Sequence, residues 1–503
     1  VENRDPALVG GPNYDAAAPT YFPNTDDGNR NFKRGLVSNR LDLLSEFDVA
    51  YKGFGVRMSA AAWRDSVYLR STNDHDSPST SNAISVPYNV FPRDTRDLMG
   101  SDAELLDAFV FGKFDLAGRP VSLKLGKHTV LYGESLMLGA NGIAAAQAGI
   151  DVVKAVAVPN SQFKEFMRPV NQVSGQVQLT PDVMVGGYYL LGRTDDRLPA
   201  AGSYFSTVDL IAAGAERLIV GNSPAGNVGF YREADMKAKR GGQGGLQLRF
   251  HGGDVDYGLY AVRWNDRGPS GLYLNPLPVP SVSAAGLQVG KYQWVYHEGI
   301  RAVGGSFSTT VGNVNLAGEV SVRGNTPLAS DAQLNVTGAN NSGNVLYAVG
   351  KSAHAQMSWI ASVGPSFLSR EADFVGEIAW NRRLSITRNA NALNPNATRD
   401  AANLRMVFEP KYRQVVPGLD LGVPIGLGYG LSGNSSVVPP FLGKKTGDLS
   451  VGLNGTYLGV WQFGLNLTHY FGPTGQAIEG GHGTYKQALA DRDFLSLSVR
   501  RTF

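Results

Sequence analysis

Apolar and polar residues alternate along almost the whole chain. In residues 419–431 every odd position is Leu, Val, Ile or Tyr, and every even position is Asp, Gly or Pro. Residues 461–471 alternate in the same way. Successive side chains of a β-strand point to opposite faces, so such a segment gives a sheet one apolar and one polar face. Alternating segments of about ten residues separated by turn residues are typical of a membrane β-barrel.

The pattern predicts an all-β antiparallel barrel over residues 1–503, as a single unit. One apolar face would also suit a soluble β-sandwich, but the opposite faces carry Gly, Asn or charge and no domain break interrupts the pattern. Seventeen strands are predicted, at 33–52, 55–68, 104–116, 119–133, 169–180, 183–197, 242–251, 255–267, 292–311, 314–326, 344–363, 367–386, 399–416, 419–433, 445–458, 461–471 and 492–503. Residues 198–241 and the Pro/Ser/Gly-rich segment up to residue 290 are predicted to be loops.

Short connections alternate with long ones. Outer-membrane barrels have short periplasmic turns and long outer loops, so the first and last predicted strands both run towards the periplasm. Two such strands cannot be antiparallel neighbours, and bacterial barrels have an even number of strands. We therefore expect about eighteen strands, with residues 1–4 as the tail of a strand that lies mostly upstream and residues 5–32 as the first outer loop. Because the chain begins at Val1 without Met or a signal peptide, we expect it to be processed or trimmed.

Composition excludes several classes of protein. The chain has 62 glycines, 10% aromatic residues and a mean hydropathy of −0.15. No run of about 18 apolar residues occurs, so no transmembrane helix is predicted. The absence of cysteine excludes disulfides and thiolate metal sites. The net charge of +3 indicates no polyanionic partner, and no nucleic-acid binding is predicted.

One segment departs from the alternation. Residues 135–168, named the insert here, are rich in Ala, Gly and Val and lie between two predicted strands. The strand before them runs outward, so an insert left in water would expose a long apolar stretch. We expect it to fold back into the barrel as a partly helical loop that narrows or plugs the lumen, with the Ala-rich residues 144–148 in helical turns.

Two groups of residues resemble a proteobacterial outer-membrane family known only as a domain of unknown function. They are Asp26-Asp27-Gly28-Asn29-Arg30-Asn31-Phe32 with Ser38-Asn39-Arg40, and Gly126-Lys127, Tyr132-Gly133-Glu134-Ser135, Gly142-Ile143 and Phe163-Lys164-Glu165. The resemblance spans nearly the whole chain, although Tyr132 stands where many members have Trp. It implies a porin-like barrel in the outer membrane of a Gram-negative bacterium, through which hydrophobic compounds pass. It supplies no catalytic or ligand residues.

The position of the insert and the C-terminal end of the chain give two further resemblances. The position of the insert is similar to that of the inward-folded constriction loop of porins, which is an analogy at the level of the fold. Leu495, Leu497, Val499 and the terminal Phe503 resemble the signal in the last strand that the outer-membrane assembly machinery recognises. Arg501 departs from that signal, and its long side chain can reach the lipid headgroups.

Candidate site residues fall into two groups. Candidates for the constriction are Tyr132, Glu134, Asp151, Lys154, Lys164, Glu165 and Arg168. Candidates for the lumen wall are Arg40, Asp42, Glu46, Lys124, His128, Arg405 and Glu409. Such charges either form paired ions on a wetted wall or create a selective field across a constriction. The apolar residues of the insert either pack it against the wall or line a path for an apolar solute.

Catalysis and metal binding have little support in the sequence. His128 and Ser135 are seven residues apart with Glu134 between them, but nothing places a base beside Ser135. The acidic segments 24–29 and 73–76 could bind calcium, but neither matches the full pattern of a calcium-binding loop, and we predict turns there. We therefore predict no catalytic residue, no cofactor and no metal site, and a protein that is not an enzyme.

The leading functional prediction is a channel for a small hydrophobic or amphiphilic organic solute. One alternative is a porin for small polar solutes, with the insert as a size filter. The other is a plugged barrel that serves as a receptor, an adhesin or the partner of a periplasmic protein. The expected surroundings are membrane lipid and lipopolysaccharide, and the expected state is a monomer.

Overall fold

The computed structural model describes residues 5, 7–9, 23–157, 163–439 and 441–503, and these form an antiparallel β-barrel. The barrel strands are β1 Arg40–Tyr51, β2 Phe54–Asp65, β3 Ser101–Leu116, β4 Arg119–His128, β5 Val170–Thr180, β6 Val183–Leu190, β7 Gly244–Gly252, β8 Val255–Trp264, β9 Ile300–Val311, β10 Val314–Pro327, β11 Val349–Val363, β12 Glu371–Arg388, β13 Asp400–Val416, β14 Leu419–Gly422 with Ile425–Ser432, β15 Gly447–Tyr457, β16 Trp461–Phe471 and β17 Phe494–Arg501. Each predicted strand is present, with its ends moved by several residues at most positions.

Every strand pairs with the next one along the chain. The sheet contains eighteen strand segments, of which two are the halves of β14, so it has seventeen strands. The sequence predicts β14 to be continuous, but Pro424 interrupts it because proline has no N–H for the ladder. At the short turn before β2, Gly53 adopts a φ of 85°, which favours glycine.

The strands β1 and β17 form the two edges of the sheet. They run in the same direction, and in the described ranges each pairs with a single neighbour, β2 and β16 respectively. Residues 1–4, predicted to be the tail of a closing strand, lie outside the described residues. The strand that would lie between these edges therefore stays a prediction.

The barrel is apolar outside and polar inside. In β10, Val320 and Val322 are 61% and 47% exposed, whereas Glu319, Ser321 and Arg323 are 3%, 5% and 6% exposed. A soluble protein buries the apolar face instead, so this arrangement is that of a membrane-spanning barrel. No helix in the described part of the chain is long and apolar enough to cross a membrane.

Exposed aromatic side chains ring the end of the barrel that carries the short turns. They are Tyr51, Phe54, Phe114, Tyr257, Tyr412 and Tyr457. Aromatic girdles of this kind lie at the interface between membrane and water. The long connections therefore lie at the opposite end, where they pack into an outer cap.

The outer cap contains a second sheet, which corrects two of the predicted loops. Its five strands, in spatial order, are Gln333–Leu334, Gly271–Ser283, Gly286–Val295, Gly226–Arg232 and Arg217–Ser223. The loop prediction was wrong at 217–232 and at 271–290. Three prolines between residues 276 and 280 indicate a loop, but the pairing shifts register between Pro276 and Ser281. The prolines therefore occupy an irregular stretch of a long strand.

Short helical turns complete the structure. They are Asp27–Arg30, Arg93–Thr95 with Arg96–Gly100, Ile143–Ala146, Val152–Ala157, Phe163–Glu165 and Ala390–Ala392. Two-residue strands pair Gly149–Ile150 with Met167–Arg168 and Ile478–Glu479 with His482–Gly483. The turn Asp27–Arg30 lies in the predicted first outer loop, much of which is outside the described residues.

Candidate functional site: the barrel interior

The segment leading into the insert packs on an aromatic wall. Tyr132 is 5% exposed and lies edge-on to Tyr188 of β6, with ring centroids 5.3 Å apart, and 6.1 Å from the ring of Tyr260 of β8. The Tyr188 hydroxyl donates a hydrogen bond to the Ala146 carbonyl of the insert (3.3 Å). This cluster joins the chain before the insert to strands on the far side of β5.

Glu319 of β10 holds the first part of the insert. Its carboxylate accepts hydrogen bonds from the backbone N–H of Glu134 (3.0 Å) and of Ile143 (2.6 Å). Gly133, with a φ of 88°, lies against this carboxylate. A Cβ at Gly142 would lie 2.8 Å from Glu319 Oε1. The two glycines therefore let the backbone approach the carboxylate closely.

Glu377 of β12 holds the next part of the insert. Its carboxylate is 0% exposed and accepts a hydrogen bond from the Ser135 hydroxyl (3.1 Å). It also accepts hydrogen bonds from the backbone N–H groups of Leu136, Met137 and Leu138, at 3.2, 2.5 and 2.6 Å. Hydrogen bonds to an ionised acceptor are about twice as strong as neutral ones. This carboxylate therefore fixes four consecutive residues of the insert.

Two arginines bind the carbonyl groups that follow. Arg323 of β10 donates to the carbonyls of residues 140–142 at 3.0, 2.8 and 2.8 Å. Arg267 donates to the carbonyls of Ala145 and Ala146, both at 3.0 Å. The insert thus touches β6, β8, β10 and β12, which are far apart in the sheet, and the sheet must curve around it.

The outer end of the insert is held by ion pairs. Arg197 contacts Asp151 (2.7 Å) and Glu104 of β3 (2.6 Å), and Arg168 contacts the same glutamate (3.4 Å). Asp151 Oδ1 accepts a hydrogen bond from the Lys154 N–H (3.0 Å), which caps the helical turn Val152–Ala157. Of the constriction candidates, Asp151 and Arg168 therefore serve as anchors.

The remaining constriction candidates make contacts other than the anchoring ion pairs. Glu134 pairs with Arg249 of β7 (3.4 Å). The Lys154 ammonium donates to the Glu165 carbonyl (3.0 Å), and Lys164 is exposed. These charged groups do not converge on one point, and no single cluster unites the predicted constriction residues within the described ranges.

The predicted lumen-wall charges form pairs along the interior of the barrel. Arg40 pairs with Asp42 (2.8 Å), Glu46 with Arg57 (2.7 Å), and Arg405 with Asp448 (2.7 Å). The ring of Trp63 lies 5.0 Å from the guanidinium groups of both Arg40 and Arg197, which ties the wall at β1 to the outer end of the insert.

Three other predicted wall residues have separate surroundings. His128 is 1% exposed and its Nε2 lies 2.7 Å from the Ser174 hydroxyl. The Lys124 ammonium lies 5.3 Å from the centre of the Phe109 ring. Glu409 lies against Gly422 of β14. His128 and Ser135 have different partners, Ser174 and Glu377, so these contacts do not form a nucleophile and base pair.

A cavity of about 950 Å³ lies at the outer mouth, next to Arg168 and Arg197. Its four cations are ion-paired: Arg168 and Arg197 with Glu104, Arg232 with Asp235, and Lys237 with Asp195 and Asp235. Five of its seven carboxylates make no ion pair in the described part of the chain: Asp94, Asp102, Asp196, Glu216 and Glu233. Burial raises the pKa of Asp196 to about 6. The mouth therefore carries excess negative charge.

Sequence reasoning missed the residues that anchor the insert: Glu319, Arg323 and Glu377. Alternation with Val320, Val322 and Ile378 places all three on the polar face of their strands. Nothing in the sequence, however, pairs a carboxylate with backbone N–H groups some 180 or 240 residues away.

The fold and the interior together define a membrane-spanning β-barrel with a loop anchored inside it. The chain belongs to the family described as "Protein of unknown function (DUF1302)", which matches residues 1–503. No curated protein matches the chain.

Several solved outer-membrane proteins are similar in structure. OccAB3 of Acinetobacter baumannii has 9% identity and a TM-score of 0.41, with 92% of each chain covered. The outer membrane channel DcaP of Acinetobacter baumannii has 10% identity and a TM-score of 0.35, with 83% of this chain and 84% of that chain covered. OprB of Pseudomonas putida has 10% identity and a TM-score of 0.34, with 78% and 82% covered.

Proposed function

We propose that the protein is an outer-membrane channel that passes a small polar solute between the insert and the part of the wall that the insert leaves uncovered. The apolar outer face and the aromatic girdle support a location in the membrane. The observation that carries the proposal is the set of half-exposed ion pairs on the inner face of the barrel. Charges that stay exposed inside a barrel require water around them.

The uncovered part of the wall runs through β13–β16 and β1–β2. Its charged groups include Arg413, 58% exposed, which pairs with Glu371 and Asp420, and Glu46, 55% exposed, which pairs with Arg57. By contrast, the anchors of the insert on β10 and β12 are almost fully buried. The conduit therefore lies on the side of the barrel opposite to those anchors.

Some apolar residues of the insert pack rather than line a path. Ile143, Met137 and Val153 are 2%, 8% and 9% exposed. Ile143 packs against the wall with Tyr188 and Tyr260, and Val153 packs in the outer cap with Phe32 and Tyr204. Val158 lies outside the described residues. This packing favours a polar solute over a hydrophobic one. The hydrophobic or amphiphilic solute implied by the family resemblance stays a prediction, as do the monomeric state and a periplasmic partner.

The excess of carboxylates at the outer mouth favours cations over anions. A mouth lined by one sign of charge raises the local concentration of counter-ions. We expect stepwise conductance in planar bilayers. In a KCl gradient, the reversal potential should show that the channel is more permeable to K⁺ than to Cl⁻. The double variant Asp94→Asn with Asp102→Asn should lower this preference, whereas Asp115→Asn, at the opposite end of β3 beside a short turn, should leave it unchanged.

The measurement tests the channel and the role of the outer mouth separately. A folded barrel that shows no conductance would contradict the channel and favour a plugged receptor or adhesin. Conductance without a preference for cations would keep the channel and contradict the role of the outer mouth.

A further inference from the structure

Three carboxylates from two distant segments meet inside the outer cap. Asp26 and Asp27 precede β1, and Asp209 lies in the connection between β6 and β7. They are 0%, 7% and 0% exposed, and one carboxylate oxygen from each lies within 4.8 Å of the others. The sequence favours a turn at residues 24–29, with calcium binding as the alternative, and it does not indicate Asp209, which is 182 residues away from Asp27.

Asp209 supplies a second and separate observation. Its Oδ2 accepts a hydrogen bond from the Asp27 N–H (3.1 Å), but its buried Oδ1 has no hydrogen-bond partner in the described part of the chain. A buried carboxylate oxygen without a donor costs free energy, so a group that satisfies it is expected.

Three carboxylates this close together repel one another unless their charge is compensated. The basic groups that interact with them among the described residues include Arg30, Arg217 and Arg492. Arg30 and Arg492 also pair with Asp76 and Asp491, so these two cations are shared with other carboxylates. Buried charges need compensation, and a divalent cation between the three carboxylates would add to it.

We propose that Asp26, Asp27 and Asp209 bind a divalent cation of the calcium or magnesium class. Carboxylate oxygens are the ligands that these hard cations prefer. The ion would tie the segment before β1 to the connection between β6 and β7. It would therefore hold the outer cap together, which is a role separate from the passage of solute.

Calorimetric titration of the full chain, purified in detergent and stripped with EDTA, tests the proposal with CaCl₂ as the probe. We expect saturable binding by the wild type and a higher melting temperature in CaCl₂ than in EDTA, because a ligand that binds only the folded state stabilises it. Asp209→Asn keeps the shape of the side chain and removes its charge, so it should weaken binding about tenfold or more. Asp254→Asn, an exposed turn residue, is the matched control.

Three results would overturn the proposal. The first is a wild type that binds neither CaCl₂ nor MgCl₂. The second is equal stabilisation by CaCl₂ in the wild type and in Asp209→Asn, which would place the ion elsewhere. The third is a melting temperature that CaCl₂ changes in neither protein, together with a higher melting temperature for Asp209→Asn than for the wild type in EDTA. That result would mean that a proton shared between the carboxylates, rather than a metal ion, compensates their charge. If Asp209→Asn does not fold, Asp26→Asn serves in its place, and retained binding by that variant would contradict the assignment.

Discussion

At the scale of single residues, buried carboxylates organise the interior. Glu319 and Glu377 compensate their burial by accepting hydrogen bonds from the backbone of the insert rather than by pairing with cations. In return they satisfy N–H groups that the loop has withdrawn from the sheet. The carboxylate and the loop backbone each depend on the other, so changing either should loosen the insert.

Removing Glu377 should therefore destabilise the protein. Glu377→Ala leaves two buried and two partly buried donors without their acceptor, and we expect a loss of about 3 kcal/mol or more in the free energy of unfolding. Chemical unfolding in detergent measures it. Glu371→Ala, in the same strand but in an exposed ion pair with Arg413, is the control and should cost about 1 kcal/mol or less. Equal costs for the two variants would contradict the anchoring role.

Gly142 should resist even a methyl group. A Cβ there would lie 2.7 Å from Gln356 Nε2 and 2.8 Å from Glu319 Oε1, so Gly142→Ala should cost about 1–3 kcal/mol through forced displacement. Gly324→Ala, in β10 with open space around the new atom, should change stability by no more than about 0.5 kcal/mol. The ratio of folded to unfolded bands on gels run without heating gives a rapid comparison.

Acidification should weaken the outer cap through His297. This residue is 0% exposed, receives a hydrogen bond from the Tyr347 hydroxyl (2.8 Å) and donates to the Asn325 carbonyl (3.0 Å). Burial and the charge of Arg388 lower its pKa from 6.5 to about 4. The contribution of the neutral imidazole to the free energy of unfolding is therefore fully present above pH 6.5. It is lost as the pH falls towards 4, by up to about 3 kcal/mol.

Hydrogen exchange of residues 325 and 345–347 between pH 7 and pH 4, corrected for intrinsic rates, measures this effect. His297→Gln should show a flatter dependence on pH. A wild type whose exchange protection stays constant over that range would contradict the buried neutral imidazole.

At the scale of elements, the strands follow from the sequence and part of the outer cap does not. Alternation predicts strands such as β16 to the residue, because a barrel strand must face lipid on one side and the lumen on the other. Gly271–Ser283 escapes the same reasoning, since it has no lipid face and contains three prolines. The anchors on β10 and β12 could be assigned a face from the sequence but not a partner.

The assigned faces can be tested in β14 and β16. Ile425 is 40% exposed on the outer face, and a lysine there should cost roughly 2–4 kcal/mol in lipid near the bilayer midplane. Gln462→Lys, on the alternate positions that face the interior, should be nearly neutral. Folding into vesicles at increasing urea concentration measures both variants. An Ile425→Lys barrel as stable as the wild type would reverse the assigned faces.

At the scale of the whole molecule, we propose that the insert divides the lumen. Its anchors run from β6 to β12, and its outer end reaches β3 through Arg168 and Arg197. The half-exposed ion pairs lie on the rest of the wall. On this proposal, solute would cross the barrel along one side, past the anchored loop, rather than through a wide central pore.

Single-channel recording of a chain whose insert is shortened tests this account most directly. Replacing about residues 140–160 by a short Gly/Ser linker should raise the conductance several-fold in planar bilayers and relax solute selectivity, because the anchored side of the lumen opens to water. Replacing residues 276–282, an exposed stretch of the cap strand Gly271–Ser283, by a short Gly/Ser linker is the control and should leave the conductance unchanged. An insert-deleted barrel that folds correctly and conducts as the wild type does would contradict the proposal that the insert narrows the channel.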